Sequence, residues 1–437
     1  MMKRGALLSL QAFAAQAAGL ACGLASGVVI ARCLGPAAKG AVAVYALTAG
    51  FIALAGNLGM GMANVHLVAR GAVEPRRAWA NSLAVAAALG IPLSAAAFFA
   101  APLLGIALRR PPDMGLLAIA LGSVPLLVLF DLQLNLLQGA GDIAGSNRSG
   151  LARQALRLAA LLPLVALLPG GTAGALWSAN IALAGGNLWC LALLRRRGAV
   201  SLAPDWPSLA RSLGYGLKTL PGQLVQFLNY RLDLLLLALF WTNREAGIYS
   251  VAVFMAELVW YIPQAVITVL LPRVSSAPTA QQGLALTARA IRHTVLWSAL
   301  CAAALAAAAP MVIGLLYGPP FAEAVPALWI LLLGIAALAP GKLAVAHLAG
   351  AGRPQYYTYL ALTGIGLSVA LDLALIPRFG IIGAAAASAA AYAVSGALAL
   401  YWLRARAGIG LRRSLLLRRE DWSLYADLVP QFIRDPL

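Results

Sequence analysis

Charged residues are scarce: 11% of the 437 positions, against 62% hydrophobic ones. A soluble surface ordinarily draws on about a quarter charged residues, so this chain cannot cover one. A cytosolic enzyme, a disordered chain and a secreted disulfide scaffold are all disfavoured on that ground. Cysteine is sparse as well. Cys22, Cys33, Cys190 and Cys301 form no CxxC pair and no Cys/His cluster, so no metal site is readable. No GxxxxGK[ST] phosphate-binding stretch occurs, which argues against ATP hydrolysis, and no Ser or His shows nucleophile-base spacing. The expectation is a protein that is not an enzyme and needs no cofactor. Acidic residues number 14 against 32 Lys and Arg, a formal net charge of +18. In a membrane protein such an excess belongs to loops facing an anionic leaflet, and no basic patch interleaved with aromatics suggests nucleic acid. Only four of the basic residues are Lys, which together with abundant Ala points to a GC-rich bacterial coding bias.

What is abundant is long apolar runs. A membrane helix needs about 20 largely apolar residues with every backbone hydrogen bond closed internally. Stretches 5–31, 41–69, 78–108, 294–322 and 379–403 qualify without a charge, apart from their flanks. The uncharged stretch 158–194 is cut in two by Pro169-Gly170-Gly171. Runs 114–138, 212–240, 246–271, 325–349 and 355–377 carry isolated charges. The fold class expected is an all-α polytopic membrane protein with about twelve transmembrane helices. Met1-Met2-Lys3-Arg4 could open a signal peptide, but the apolar run behind it is about twice an h-region in length, so a retained helix is expected.

Orientation follows from Lys and Arg on alternate connections. One side collects 22 of the 32, including the N-terminus, the segments 70–77, 148–153, 195–211 and 273–292, and the C-terminal tail. The other side holds Arg32, Lys39, Arg109, Arg110, Arg244 and Arg378, and Arg157, Lys218, Arg231 and Lys342 fall inside spans. Both termini are therefore expected in the cytoplasm, with an even number of helices.

The chain also repeats itself. Leu34-Gly35-Pro36-Ala37-Ala38-Lys39-Gly40 between the first two spans is echoed by Trp241-Thr242-Asn243-Arg244-Glu245-Ala246-Gly247 between the seventh and eighth. Gly139-Ala140-Gly141 is echoed by Gly350-Ala351-Gly352, and Pro169 with Gly174 by Pro377 with Gly383. A near-constant offset and a common order indicate two six-helix units of the same orientation, related by an axis along the membrane normal. The division expected is a first bundle 1–194, a cytoplasmic linker 195–211, a second bundle 212–403 and a basic tail 404–437 on the anionic inner leaflet.

These segments resemble a known family. Ala31-Arg32-Cys33-Leu34-Gly35-Pro36 with Gly40 and Tyr45 is similar to the first loop of Wzx-type polysaccharide flippases, in the multidrug/oligosaccharidyl-lipid/polysaccharide exporter superfamily. Arg231-Leu232-Asp233, Gly247-Ile248-Tyr249-Ser250, Leu271-Pro272 and Pro377-Arg378-Phe379-Gly380-Ile381-Ile382-Gly383-Ala384-Ala385 extend the resemblance to about residue 403. Lys39 departs from it, since the family usually has a bulky or aromatic residue there. The resemblance implies a MATE-like fold of two six-helix bundles around a central cavity, alternating access, and a lipid-linked oligosaccharide as cargo.

Intramembrane polar residues are the candidate site, because each charge costs about 2.5 to 3.5 kcal/mol on insertion and so faces a cavity or a partner. On the seventh span, Gln223, Gln226, Tyr230 and Asp233 follow helical spacing, with Arg231 beside them. Asn57, Gly61 and Asn64 form a stripe on the second span; Asp131, Asn135 and Gln138 on the fourth; Glu257, Tyr261 and Gln264 on the eighth. Lys342 is the cation best placed for cargo, while Arg157 and Lys218 lie near cytoplasmic ends where snorkelling competes. Substrate contacts are expected from Lys342, Arg231, Gln223, Gln226, Tyr230, Asn57 and Asn64, and proton or sodium coupling from Asp233, Glu257 or Asp131. Buried ion pairs and interhelical glue are the competing roles for the same residues. Gly19, Gly23 and Gly27 read as a close-packing ridge.

The leading function is a flippase moving a polyprenyl-diphosphate-linked oligosaccharide across a bacterial plasma membrane for lipopolysaccharide or exopolysaccharide assembly. A multidrug exporter of the same fold is the alternative, and a membrane glycosyltransferase or polymerase a distant one. Length counts against peptidoglycan-precursor flippases, which typically have two further helices.

Overall fold

The computed structural model describes residues 2–107, 112–168 and 170–408, with side chains from residue 14 on except 104–107. The expected tail segment beyond 408, Arg109, Arg110 and Pro169 lie outside the described residues. All regular structure among the described residues is helical. In lipid this is what backbone hydrogen bonding demands.

The elements in order are α1 Met2–Gly56, α2 Met60–Ala69, α3 Pro75–Val85, α4 Ile91–Ala107, α5 Met114–Gly122, α6 Val124–Gly139, α7 Ile143–Leu161, α8 Gly171–Arg196, α9 Trp206–Phe240, α10 Asn243–Glu257, α11 Tyr261–Ser275, α12 Ala280–Leu316, α13 Ala324–Gly350 and α14 Gln355–Ala407. Several run together, α3 into α4 through a π turn at Ala86–Gly90 and α10 into α11 through Leu258–Trp260. Among the described residues ten continuous helical segments are long and apolar enough to cross a membrane.

Two of the ten are too long for one crossing. The 55 residues of α1 and the 53 of α14 would each extend about 80 Å at 1.5 Å per residue, against a hydrocarbon core of about 30 Å. Each is broken at a glycine: Gly35 at φ 78°, ψ −177° and Gly380 at φ 56°, ψ −128°. These are backbone angles that a Cβ opposes and glycine tolerates. Resolving α1 and α14 at these points gives twelve candidate crossings among the described residues. The loop expected at 32–40 is thereby reduced to a one-residue break, and the boundary expected at Arg378 moves to Gly380. Lys39 consequently stands within a helix rather than in an external loop.

The fifth crossing also differs. Its helix was expected from residue 158, but α7 starts at Ile143, where Asp142 accepts from Gly145 N at 2.9 Å. Arg153, expected in a cytoplasmic connection, and Arg157, expected near a helix end, stand about three and four turns inside α7. Apolar periodicity did not show this start, because Ser146, Asn147, Arg148 and Ser149 make the first turns polar. Likewise α9 starts at Trp206, six residues before the expected 212, capped by Asp205 accepting from Ser208 N.

The described residues form two compact units: those up to Ile248 together with Leu316–Pro320, and Tyr249–Leu315 together with those from Phe321 on. The first is packed around Met60, Val124, Leu132 and Leu161, with a second cluster at Leu136, Leu137, Cys190 and Leu194. In the second unit α13 and α14 approach through small residues at seven-residue spacing. A methyl group on Gly334 would lie 2.4 Å from Ala389 Cα, and one on Gly341 2.7 Å from Gly396 Cα. Lipid gives apolar surfaces no reason to associate, so close backbone contact supplies the attraction. Gly141 and Gly352 both have φ near 80° (80° and 82°), and Gly171 and Gly380 pair at 53° and 56°. These pairs stand at the offset of the sequence repeat.

Candidate functional site

Helix α9 lines a cleft of about 770 Å³ in the first unit with Thr219, Gly222, Gln223, Gln226, Phe227, Tyr230 and Arg231, and Leu54 and Met62 complete the wall. The helix can present this face because Gly59 and Gly216 let its N-terminal half approach α2. A methyl on Gly59 would meet Gly216 O at 2.2 Å. Gln223 donates to Thr219 Oγ1 at 3.1 Å, which fixes one amide along the wall. Four of the five residues singled out on this helix, Gln223, Gln226, Tyr230 and Arg231, are thus brought together. Asp233 is not among the lining residues. It is 8% exposed, where α9 is packed through Leu234 and Leu237, and its Oδ1 accepts from Leu234 N at 2.7 Å.

The stripe on the second span divides. Asn57 stands in the turn between α1 and α2 and donates to Asp131 Oδ2 at 2.5 Å, while its own Oδ1 accepts from Gly61 N at 3.0 Å. Asn135 donates to the Asp131 carbonyl at 2.8 Å. Gly61 is needed here, since a methyl would lie 2.8 Å from Asn135 Nδ2 and 3.2 Å from Asp131 Oδ2. The result is an exposed carboxylate steadied by amides. Asn64 is separate and 1% exposed, donating to Ser82 Oγ at 3.0 Å and Leu132 O at 3.4 Å. That is the geometry of an interhelical lock.

In the second unit Lys342 Nζ sits 4.0 Å from the centroid of the Trp260 ring, within electrostatic reach of Glu257. A cation over an indole face gains about 0.5 to 2 kcal/mol. Lys342 and Glu257, proposed on separate grounds, therefore share one neighbourhood at the α10–α11 junction, which holds Trp260. His347 bonds Thr287 Oγ1 at 2.7 Å and His66 stacks on Tyr215 at 4.6 Å.

Sequence reasoning missed a group in the first unit. Lys39 donates to Gly27 O at 3.5 Å and lies 5.6 Å from the Tyr317 centroid. It is close enough to Arg157 for the two charges to repel, and Arg157 to Arg153 likewise. The Arg153 guanidinium lies 5.3 Å from the Phe130 centroid. The ridge of Gly23 and Gly27, expected to admit another backbone, instead faces Gln154 and Lys39. The i, i+4 spacing of Arg153 and Arg157 was the available signal, concealed by the misplaced helix start.

With this geometry in view, comparison with known proteins is informative. The family described as polysaccharide biosynthesis protein matches residues 29–326. The chain belongs to this family. Its fold is similar to that of an inward-facing multidrug resistance MATE transporter of the MOP superfamily, at TM-score 0.75 and 17% identity over 89% of this chain and 94% of that one. It is similar to the lipid II flippase MurJ at TM-score 0.74 and 15% identity, over 98% and 96%, so length does not set the family member apart from that protein. A MOP superfamily transporter from Pyrococcus furiosus, whose binding pocket is described as of reverse polarity, matches at TM-score 0.65 and 17% identity over 92% and 94%. An uncharacterized membrane protein of Methanocaldococcus jannaschii is 31% identical over 93 residues, 21% of this chain. The chain spans about a fifth of the length of that relative, 18%. The fold expected from the spans and the resemblance, an all-α bundle of the MATE and MOP type, is therefore the one observed.

Proposed function

We propose that the chain is a flippase that carries a lipid-linked oligosaccharide, a surface polysaccharide precursor, across a bacterial plasma membrane with both termini in the cytoplasm. The cleft along α9 carries this reading. At about 770 Å³ it falls within the roughly 300 to 1,000 Å³ of small-molecule sites. Two amides, a phenol, a hydroxyl and a guanidinium line it at membrane depth, where polar groups are costly unless used. Amides exchange hydrogen bonds with sugar hydroxyls, the tyrosine ring offers a face to a sugar ring, and Arg231 offers a two-pronged donor to phosphate. A diphosphate leaving water needs such partners, because burying it unpaired costs several kcal/mol. The polyprenyl tail stays in lipid. The family description supports a role in polysaccharide assembly, and the lipid II flippase among the fold relatives supports a lipid-linked cargo.

Lys342, over the Trp260 ring in the second unit, is a further cation proposed for cargo. Asp131, with its amide partners, is the leading candidate for proton or sodium coupling, ahead of Glu257 and Asp233.

The test is surface-glycan export in a deletion strain. Arg231→Ala, and Gln223→Ala with Gln226→Ala, lower export about tenfold or more, the loss expected for one charge-assisted hydrogen bond of about 1.5 to 3 kcal/mol. Protein levels in the membrane stay unchanged. Lys342→Arg retains more activity than Lys342→Gln. Full export by the Arg231 and Lys342 double neutral variant sinks the charge-recognition scheme, and drug resistance without a glycan phenotype assigns the exporter function instead.

A further inference from the structure

We propose that Lys39, Arg153 and Arg157 form a binding site for a phosphate-class oxyanion inside the first unit, distinct from the α9 cleft. Three cations converge there from α1 and α7. Among the described residues no carboxylate forms an ion pair with any of them, whereas Arg77 is paired with Glu74 and Asp205, and Arg197 with Asp142. Their neighbours are each other, the ring faces of Phe130 and Tyr317, and the Gly27 carbonyl. The Nε atoms of Arg153 and Arg157 and the Oε1 of Gln154 are shielded from solvent without a hydrogen-bond partner.

Like charges held together in a low-dielectric interior repel strongly, and a set of this kind is stable only when an anion joins it. The donors select which anion. Two guanidinium forks at i and i+4, one ammonium and a side-chain amide offer many N–H groups, and planar forks match phosphate oxygens two at a time. Three positive charges exceed what a single carboxylate neutralises. A phosphate bears about −1.5 to −2 at neutral pH and a diphosphate more, which brings the site close to balance. Gly23 and Gly27 border the group, since a methyl placed on them would stand 3.7 Å from Gln154 Nε2 and 3.5 Å from Lys39 Nζ.

The full chain, purified in an uncharged detergent, is titrated with inorganic phosphate and pyrophosphate and followed by thermal unfolding. Both anions raise the midpoint of the unsubstituted protein, pyrophosphate more. Arg157→Gln and Lys39→Gln weaken the apparent affinity about tenfold or more, Arg157→Lys less, and Arg76→Gln, at the exposed start of α3, leaves it unchanged. Nanodiscs of phosphatidylglycerol against phosphatidylcholine identify the phosphate's source. If phosphatidylglycerol stabilises the protein and abolishes the pyrophosphate response, a lipid headgroup occupies the site. A surviving response together with lost glycan export by Arg157→Gln assigns the cargo diphosphate. Either result upholds the site. No response of the unsubstituted protein to either anion or to phosphatidylglycerol overturns it without recourse to any variant. A response abolished by Arg231→Ala but kept by Arg157→Gln also overturns it, and leaves the flippase reading standing.

Discussion

Replacing Gly341 with alanine tests how the second unit is held together. The added methyl would stand 2.7 Å from Gly396 Cα, 3.0 Å from Gly396 O and 3.3 Å from Ala399 Cβ. Carbon atoms rest at about 3.5 to 4.0 Å, so α13 and α14 must part by about 1 Å at this level, and a gap of 0.5 to 1 Å already forfeits a quarter to a half of each contact. Overpacking of this kind costs about 1 to 3 kcal/mol, partly offset by the roughly 1 kcal/mol that alanine gains over glycine within a helix. A net loss of about 1 to 2 kcal/mol is expected. Gly366 in α14 is the control, because nothing lies within 4 Å of a methyl placed there, leaving only the helix-propensity gain. Thermal unfolding of the detergent-purified protein should place Gly341→Ala several degrees below the unsubstituted chain and Gly366→Ala level with it or above. Glycan export should fall with Gly341→Ala as well, since Lys342 is the next residue. Equal midpoints for the two variants would refute the close-packing argument.

Asn57→Ala removes the amide that donates to Asp131. A hydrogen bond to a charged group is worth about 1.5 to 3 kcal/mol, so a lower unfolding midpoint is expected, and an unchanged one would show that the Asp131 carboxylate does not depend on it. At the start of α9, hydrogen bonding by Ser208 first, and the Arg77 guanidinium after it, hold the Asp205 carboxyl below its usual value. A depressed folded-state value means the stabilisation is fully present above about pH 4 and disappears as pH falls through the lower folded value. Asp205→Asn should therefore flatten the acid limb of midpoint against pH; parallel curves for the two proteins would exclude this linkage. Reporter fusions after Gly71 and Arg197 should read as cytoplasmic and fusions near Pro112 and Pro319 as external, and a cytoplasmic signal at Pro319 would break the twelve-crossing arrangement.

Hydropathy by itself determined that the chain crosses a membrane, about how many times, and with which side enriched in Lys and Arg, because the cost of charge in hydrocarbon acts on each residue separately. Helical spacing on the seventh span likewise put Gln223, Gln226 and Tyr230 on one face, since 3.6-residue periodicity is a property of one helix, but it included Asp233, which does not line the cleft, and not Arg231, which does. Moving Lys39 and Arg153 from connections into helices leaves the charge asymmetry on the same side. What the sequence could not supply was the partner of any polar group. Asn57 and Asn64 are alike in one stripe, yet one holds Asp131 and the other locks Ser82, a difference set by which helices pack alongside. Lys342 looked like an isolated cation until α11's neighbour Trp260 came beneath it. Lys39, Arg153 and Arg157 were scattered among two connections and a helix end in the linear reading. Only the one-residue break at Gly35 and the early start of α7 bring them together, because contact between distant segments is decided by packing and not by local spacing.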